Sequence, residues 1–167
     1  MYSTKLKRYT LPTGRQVVEP NPKLKEFLKE LNYKALALYE ELLITNNLQN
    51  IPHAYRKQHS IKTNAQQHQN QKIIHKFDFK GFYDSIPFRI IKPYLKQLNA
   101  PLIKGYYIDP KTNGLIQGSP LSGTLAGMAL IPFWKTLKKQ LPNAIITQYS
   151  DDLAISNTSL SQKQCEK

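Results

Sequence analysis

Tyr149-Ser150-Asp151-Asp152 stands between two apolar runs, Ala144-Ile145-Ile146 before it and Leu153-Ala154-Ile155 after it. Short β-prone runs on either side of turn-prone residues predict a β-hairpin with two acids at its tip. Adjacent carboxylates repel each other, and a divalent cation relieves that repulsion; hard oxygen ligands suit Mg²⁺ or Mn²⁺. An Asp-Asp pair is also a good polar turn, and taken alone that bland reading wins. A second acidic strand end changes the weighing. Lys72 to Phe79 predicts a strand, with Ile73, Ile74, Phe77 and Phe79 apolar and Asp78 at its end. Asp78 and Asp151 lie far apart in sequence, so only tertiary structure can join them. If the two strands are neighbours, the acids form one cluster at one edge of a sheet, able to hold two metal ions about 4 Å apart.

The chain around these acids is strongly basic. It has 167 residues, 40% of them hydrophobic, which is enough for one domain with a real core. Lys plus Arg number 24 against 11 Asp plus Glu, a net charge of +13 that favours a polyanionic partner over a small neutral ligand. No aspartate precedes Asp78, and between Leu42 and Phe77 there is no acid at all, while Arg56, Lys57, Lys62, Lys72 and Lys76 are present. No apolar run approaches the ~20 residues of a spanning helix and no signal peptide is read, so no membrane partner is expected. The single cysteine, Cys165, excludes an internal disulfide and a zinc-cluster pattern and fits a reducing, cytoplasmic setting. An acidic cluster inside a basic chain makes sense if cations bridge it to phosphates. A polymerase needs that arrangement: acids for metal, bases for template and triphosphate.

The remaining elements must position those acids. Tyr2 to Leu11, the turn Pro12-Thr13-Gly14 and Arg15 to Val18 predict a basic hairpin, which is also an ordinary solvated edge. Pro20-Asn21-Pro22 breaks the chain, with Asn21 as an N-cap. Leu24, Phe27, Leu28 and Leu31, continued by Leu36 to Leu43, predict one or two core-facing helices over 22–46. A basic, aromatic loop at 51–59 leads to Ser60, which caps a helix over 61–70 with Ile61, Ala65 and His68 on one side. The four histidines match no zinc spacing and read as a nucleic-acid-facing or solvated surface. A helix over 87–98 follows, with Pro93 able to bend it and Asp84 as its cap rather than a catalytic acid. A short strand at Tyr106–Ile108 and strong turn chemistry over 109–114 come next. A helix over 119–139 carries Gly123, Ala126, Gly127 and Ala129, small enough for another backbone to approach. Ser159 to Lys167 reads as the first turns of another helix.

Three stretches resemble the reverse transcriptase (RNA-directed DNA polymerase) family. Phe77-Asp78-Phe79-Lys80-Gly81-Phe82-Tyr83-Asp84-Ser85-Ile86 is similar to its first catalytic motif, Gly114 to Ser122 to its second, and Gln148-Tyr149-Ser150-Asp151-Asp152-Leu153 to its third. They occur in the family's order. Gly14-Arg15 through Pro20, and His53 to Lys57 through Ser60, Asn64, Ala65 and His68, resemble the fingers of bacterial retron-type enzymes, and the Asp78 run is closer to group II intron enzymes. Gln58 stands where retron-type enzymes usually have Gly, and Gly123 where a proline is often found.

The resemblance implies an α+β fold: a palm with an antiparallel sheet flanked by helices over 73–167, incomplete at the C-terminus, and fingers-like hairpin and helices over 1–72. The sequence ends soon after Asp152, so the expectation is a segment truncated after the third motif with the thumb absent: either a fragment, or a chain whose thumb a further chain or domain supplies. It implies two-metal nucleotidyl transfer to the 3′-hydroxyl of a DNA or RNA primer, with an RNA template, dNTPs and two Mg²⁺ (or Mn²⁺) ions. Asp78 and Asp151 would hold the metals, Asp152 would support them, and Phe79 would offer its carbonyl. Tyr83 would exclude ribonucleotides at the sugar 2′ position. Gln117 and Gly118 would contact the incoming nucleotide, and Arg15 the triphosphate, with Arg8 or Lys7 helping. Arg56 and Lys57 would follow phosphates, with Tyr149 a further nucleic-acid contact. The residues by themselves also allow Tyr83 as plain core and Arg56 as a surface charge. A template-independent polymerase of abortive-infection type and a non-catalytic RNA-binding module are the other readings, and retron synthesis, intron mobility and phage defence are the implied settings.

Overall fold

The computed structural model describes residues 1–10, 12, 14 and 16–157. Arg15, Cys165 and the helix expected over Ser159–Lys167 lie outside them. The fold is α+β, with two antiparallel sheets. Its residues fall into two compact units, Met1–Leu42 with Gly81–Ala129, and Leu43–Lys80 with the described residues from Leu130 onward. Among the described residues no helix is long and apolar enough to cross a membrane.

In the first unit, β1 (Leu6–Thr10) pairs with β2 (Gln16–Pro20) from Leu6↔Pro20 to Thr10↔Gln16. Pro20 is therefore the last residue of a strand, where a missing N–H costs little. Asn21 then caps α1 (Pro22–Thr45), a single helix: its side-chain oxygen accepts from Leu24 N at 3.1 Å and its carbonyl from Lys25 N at 2.8 Å. Leu24, Leu28, Leu31, Ala35 and Tyr39 are buried, as the helical period requires.

α3 is Phe88–Gln97, buried on Ile91 and Leu95 and continuous through an exposed Pro93. Its N-cap is Pro87, with no side-chain bond, so Asp84 does not cap it. The backbone of Asp84 instead walls off Gly114, where any Cβ would overlap it. The strand expected at Tyr106–Ile108 is a 3₁₀ turn over Lys104–Tyr106, with Ile108 forming only an isolated bridge to Leu115. The N–H groups of Tyr107 and Ile108 both return to the carbonyl of Lys104, and the buried Tyr106 packs edge-on against Phe27 and Tyr2. Local turn bonds and aromatic packing thus override a β-prone triplet. α4 (Ser122–Gln140) starts three residues later than expected, because Ser119 Oγ accepts from Leu121 N in a preceding turn. What approaches its small residues is a side chain: a Cβ at Gly127 would strike the ring of Tyr39.

In the second unit, β3 (Ile74–Asp78), β4 (Ile145–Tyr149) and β5 (Asp152–Ser156) form a sheet in the order β3-β5-β4. α2 is shorter than expected, Ile61–Gln66, and Ile61 and Ala65 are exposed. Ser60 caps it in a capping box with Thr63. The chain then turns so that His68, expected at the surface, is only 5% exposed, its two ring nitrogens 2.6 Å from Ser156 Oγ and 2.7 Å from Thr147 Oγ1. His53, likewise expected at the surface, is 3% exposed and bonds Thr63 Oγ1 through Nδ1 at 2.9 Å.

Both buried histidines favour the neutral ring. Burial pushes His53 down to about 4, helped by the neighbouring His59, and lowers His68 as well. Each therefore contributes stability that is complete above the unfolded value near 6.5 and lost as pH falls through the folded one. Between pH 7 and pH 5 the His53 effect alone should cost roughly 2 kcal/mol. Thermal melting across that range should fall steeply, and His53→Gln should flatten the dependence; a flat profile in the parent chain would contradict the assignment.

Candidate active site

The antiparallel register places Asp78 of β3 directly opposite Asp152 of β5. Asp151 follows Ser150 in the two-residue turn that joins β4 to β5, and its carbonyl accepts from Phe79 N at 3.0 Å. Asp78 and the distant Asp151-Asp152 pair thus reach one end of one sheet. Alternation along the strands sets Lys76 and Asp78 on the same face as Asp152, Ala154 and Tyr149. All three acids are exposed. Lys76 Nζ lies 3.8 Å from Asp152 Oδ1, a solvent-exposed pair that moderates the repulsion without removing it. Tyr149, Lys76, Asp152, Ala154, Asn64 and His68 line a pocket of about 330 Å³ on this face.

The turn itself is held under strain. Ser150 has φ +57°, the left-handed region that side chains other than glycine adopt at a cost of about 1–3 kcal/mol. Gln148, 2% exposed, offsets that cost: its Nε2 donates to Ser150 O at 2.7 Å, and its Oε1 accepts from Trp134 Nε1 at 2.7 Å. Its backbone bonds Ile51 O and His53 N, fastening the loop before α2 alongside β4. Tyr55 Oη and Ser150 Oγ are 3.0 Å apart. Gln148, Trp134 and Tyr55 are positioning residues that sequence reasoning missed. A polar glutamine inside an apolar run was the available signal.

The donor set fits a hard cation in kind. It consists of carboxylate and carbonyl oxygens, and neither the Asp78 nor the Asp151 carboxylate makes a hydrogen bond or ion pair within the described residues. Among the described residues no group of three or more His, Cys, Asp or Glu is gathered closely enough to hold a metal ion by itself. Mg²⁺ characteristically takes one or two carboxylates and completes its shell with water and substrate phosphate, so a half-built protein cage suits it.

The other expected site residues divide between the units. Arg56, in the second, spends Nη1 on the carbonyls of Gln49 and Pro52, at 2.6 and 2.7 Å, and so braces the loop as well as being partly exposed. Lys57 is exposed. Tyr83, Gln117, Gly118 and Arg8 belong to the first unit. The Tyr83 ring meets Phe82 edge-on at 5.2 Å, and its carbonyl accepts from Leu115 N at 2.8 Å, which joins the first motif to the second. Gln117 is exposed. Gly118 donates to Val18 O at 2.8 Å, and a Cβ there would overlap that same oxygen. Arg8 forks both terminal nitrogens onto Asp109, so its guanidinium is committed to holding β1 against the turn at 109–114. Asp109 is 2% exposed; burial alone would raise its pKa, but the bond from Arg8 and the N–H of Lys111 outweigh it and lower the value. Arg15 lies outside the described residues.

The family model described as reverse transcriptase (RNA-dependent DNA polymerase) matches residues 23–166, a span that contains the three aspartates, Tyr83, Gln117 and Gly118 but neither Arg8 nor Arg15. Among curated proteins, none matches the chain. With the match covering most of the sequence and the acids of the first and third motifs paired across one sheet, the chain belongs to the reverse transcriptase (RNA-dependent DNA polymerase) family.

Proposed function

We propose that this chain is the palm and part of the fingers of an RNA-directed DNA polymerase, adding dNTPs to a primer 3′-hydroxyl on an RNA template. The observation that carries it is the register Asp78↔Asp152, with Asp151 tied to Phe79, in a chain of this family. Asp78 and Asp151 are the primary metal ligands, Asp152 the supporting acid, and Phe79 contributes its carbonyl. Two bound Mg²⁺ ions would lower the pKa of the attacking hydroxyl and offset charge on the departing pyrophosphate. The chain's own part is positional. Gln148 and Trp134 hold the turn so that the acids keep their mutual geometry. Gln117 and the Gly118 backbone contact the nucleotide, and Arg15 meets its triphosphate, while Arg8 acts mainly as the clamp on Asp109. Lys57, Arg56 and Tyr149 face nucleic acid. The deciding experiment is primer extension with and without an RNA template. Extension that requires the template supports the reading. Untemplated addition would favour the abortive-infection type of polymerase, and RNA binding with no addition would favour a binding module.

Tyr83 is the sugar gate in this reading. Tyr83→Ala should raise ribonucleotide incorporation relative to deoxyribonucleotide by ~10–100-fold, the range within which a pocket can reject one extra hydroxyl. Competitive incorporation assays measure the ratio. Unchanged discrimination in an active protein would return Tyr83 to plain packing.

A further inference from the structure

We propose that the exposed face of α3 docks the sugar–phosphate backbone of RNA. Choosing RNA among polyanions rests on the functional reading above. Arg89, Lys92 and Lys96 are all exposed, and their spacing of three and four residues puts them on one helix face, opposite the buried Ile91 and Leu95. They extend over about 10 Å of helix axis, enough to meet two or three phosphates. α3 contains no acid. Between Ser85 and Ser150 the one acid is Asp109, and that is buried and paired with Arg8; Asp84, half-buried before the helix begins, is the nearest other acid in sequence, and none of the three cations has an ion pair among the described residues.

Helix stability accounts for Lys96, which stands in the last turn where the dipole favours a cation, but not for Arg89 and Lys92. Arg89 is the second residue of α3, where the helix dipole favours an acid, and cations three or four residues apart repel. α1, in the same unit, is the contrast: Lys25 pairs with Glu19, Lys29 lies 3.7 Å from Glu26, and Glu30 and Glu41 share its exposed surface. An anionic membrane is the competing polyanion. An interfacial helix needs an apolar face at the surface, whereas the apolar side of α3 is turned into the core and Phe88 stacks on Tyr107 at 6.4 Å.

Fluorescence anisotropy with a labelled RNA hairpin over a KCl series tests this. The variants are R89Q/K92Q/K96Q and, as the control on α1, K23Q/K29Q/K34Q. The α3 triple should lower the slope of log K against log salt by about two, at ~0.7–0.9 per lost phosphate contact, and weaken binding ~10-fold or more at low salt. The α1 triple should change the slope by less than one. Lys92→Gln alone, which should leave the fold intact, should remove about 0.8 of the slope. An unchanged slope in the α3 triple, or equal losses in both triples, would overturn the proposal. So would lost binding to phosphatidylserine vesicles with RNA binding intact. Failure of template-dependent extension while the slope result holds would sink the polymerase reading and leave the ridge standing.

Discussion

Asp151→Asn should abolish nucleotide addition, by roughly 10³-fold or more, with almost no change in stability. The size of the effect follows from the chemistry proposed for the carboxylate. Removing one preorganised group that stabilises transition-state charge typically costs ~10²–10³, and a lost metal ligand also lowers occupancy of the ion. Its cleanness follows from the structure. Asp151 is exposed and its side chain has no partner among the described residues, so the amide disturbs none of them; the contact that shapes the turn is made by the backbone carbonyl, from Phe79 N. Asn also tolerates turn positions well. Asp78→Asn should match it. Asp152→Asn should cost less, because that carboxylate already faces Lys76 and acts in support. Single-turnover primer extension, with melting temperatures alongside, checks the order. Asp151→Asn enzyme with near-parental rates would remove the metal-centred mechanism, whatever the family.

Gly114→Ala should do the opposite, damaging the fold before any chemistry is reached. The position is buried, and the ideal Cβ would overlap the Cα, carbonyl carbon and oxygen of Asp84. Those are backbone atoms, which cannot rotate away as a side chain can. The two segments meeting there are also joined by Leu115 N to Tyr83 O, and Gly114 O closes its own turn by accepting from Asp109 N, both at 2.8 Å. Separating them combines overpacking, about 1–3 kcal/mol, with one or more buried backbone bonds at about 1–3 kcal/mol each. Against a total stability of about 5–15 kcal/mol, a loss near 3–5 is severe, and at ~2–4 °C per kcal/mol the melting temperature should fall by about 6–20 °C. Gly105→Ala is the comparison: its Cβ would meet only the Thr4 side chain, at 3.0 and 3.2 Å, which can shift. Equal melting temperatures for the two variants would show that the close approach at Gly114 is not what holds the motifs together.

Several parts of this protein were determined by local sequence. The apolar runs around Tyr149–Asp152 specify strands by their composition, and the turn between them follows from residue types. The stripe from Leu24 to Leu43 specifies a helix by its period, and Asn21 and Ser60 begin helices because their side chains satisfy orphan N–H groups within a few residues. The three motifs pointed to Asp78, Asp151 and Asp152 for the same reason, since motif order is readable along the chain. Everything that depends on which distant segments meet was decided by tertiary structure. Asp78 faces Asp152 only because β5 pairs with β3 in one register. The β-prone triplet at 106–108 became a turn because its N–H groups bond the carbonyls of Ile103 and Lys104 just before it. His53, in a basic aromatic loop, and His68, between glutamines, looked solvated, yet hydroxyls of Thr63, Thr147 and Ser156 give them partners that make burial tolerable. Gln148 and Trp134 brace the turn of Ser150 through a hydrogen bond across fourteen residues. A sequence pattern records the period of a segment and its caps. It does not record the partner that a buried donor or acceptor will find, and burial of polar groups is decided by that partner.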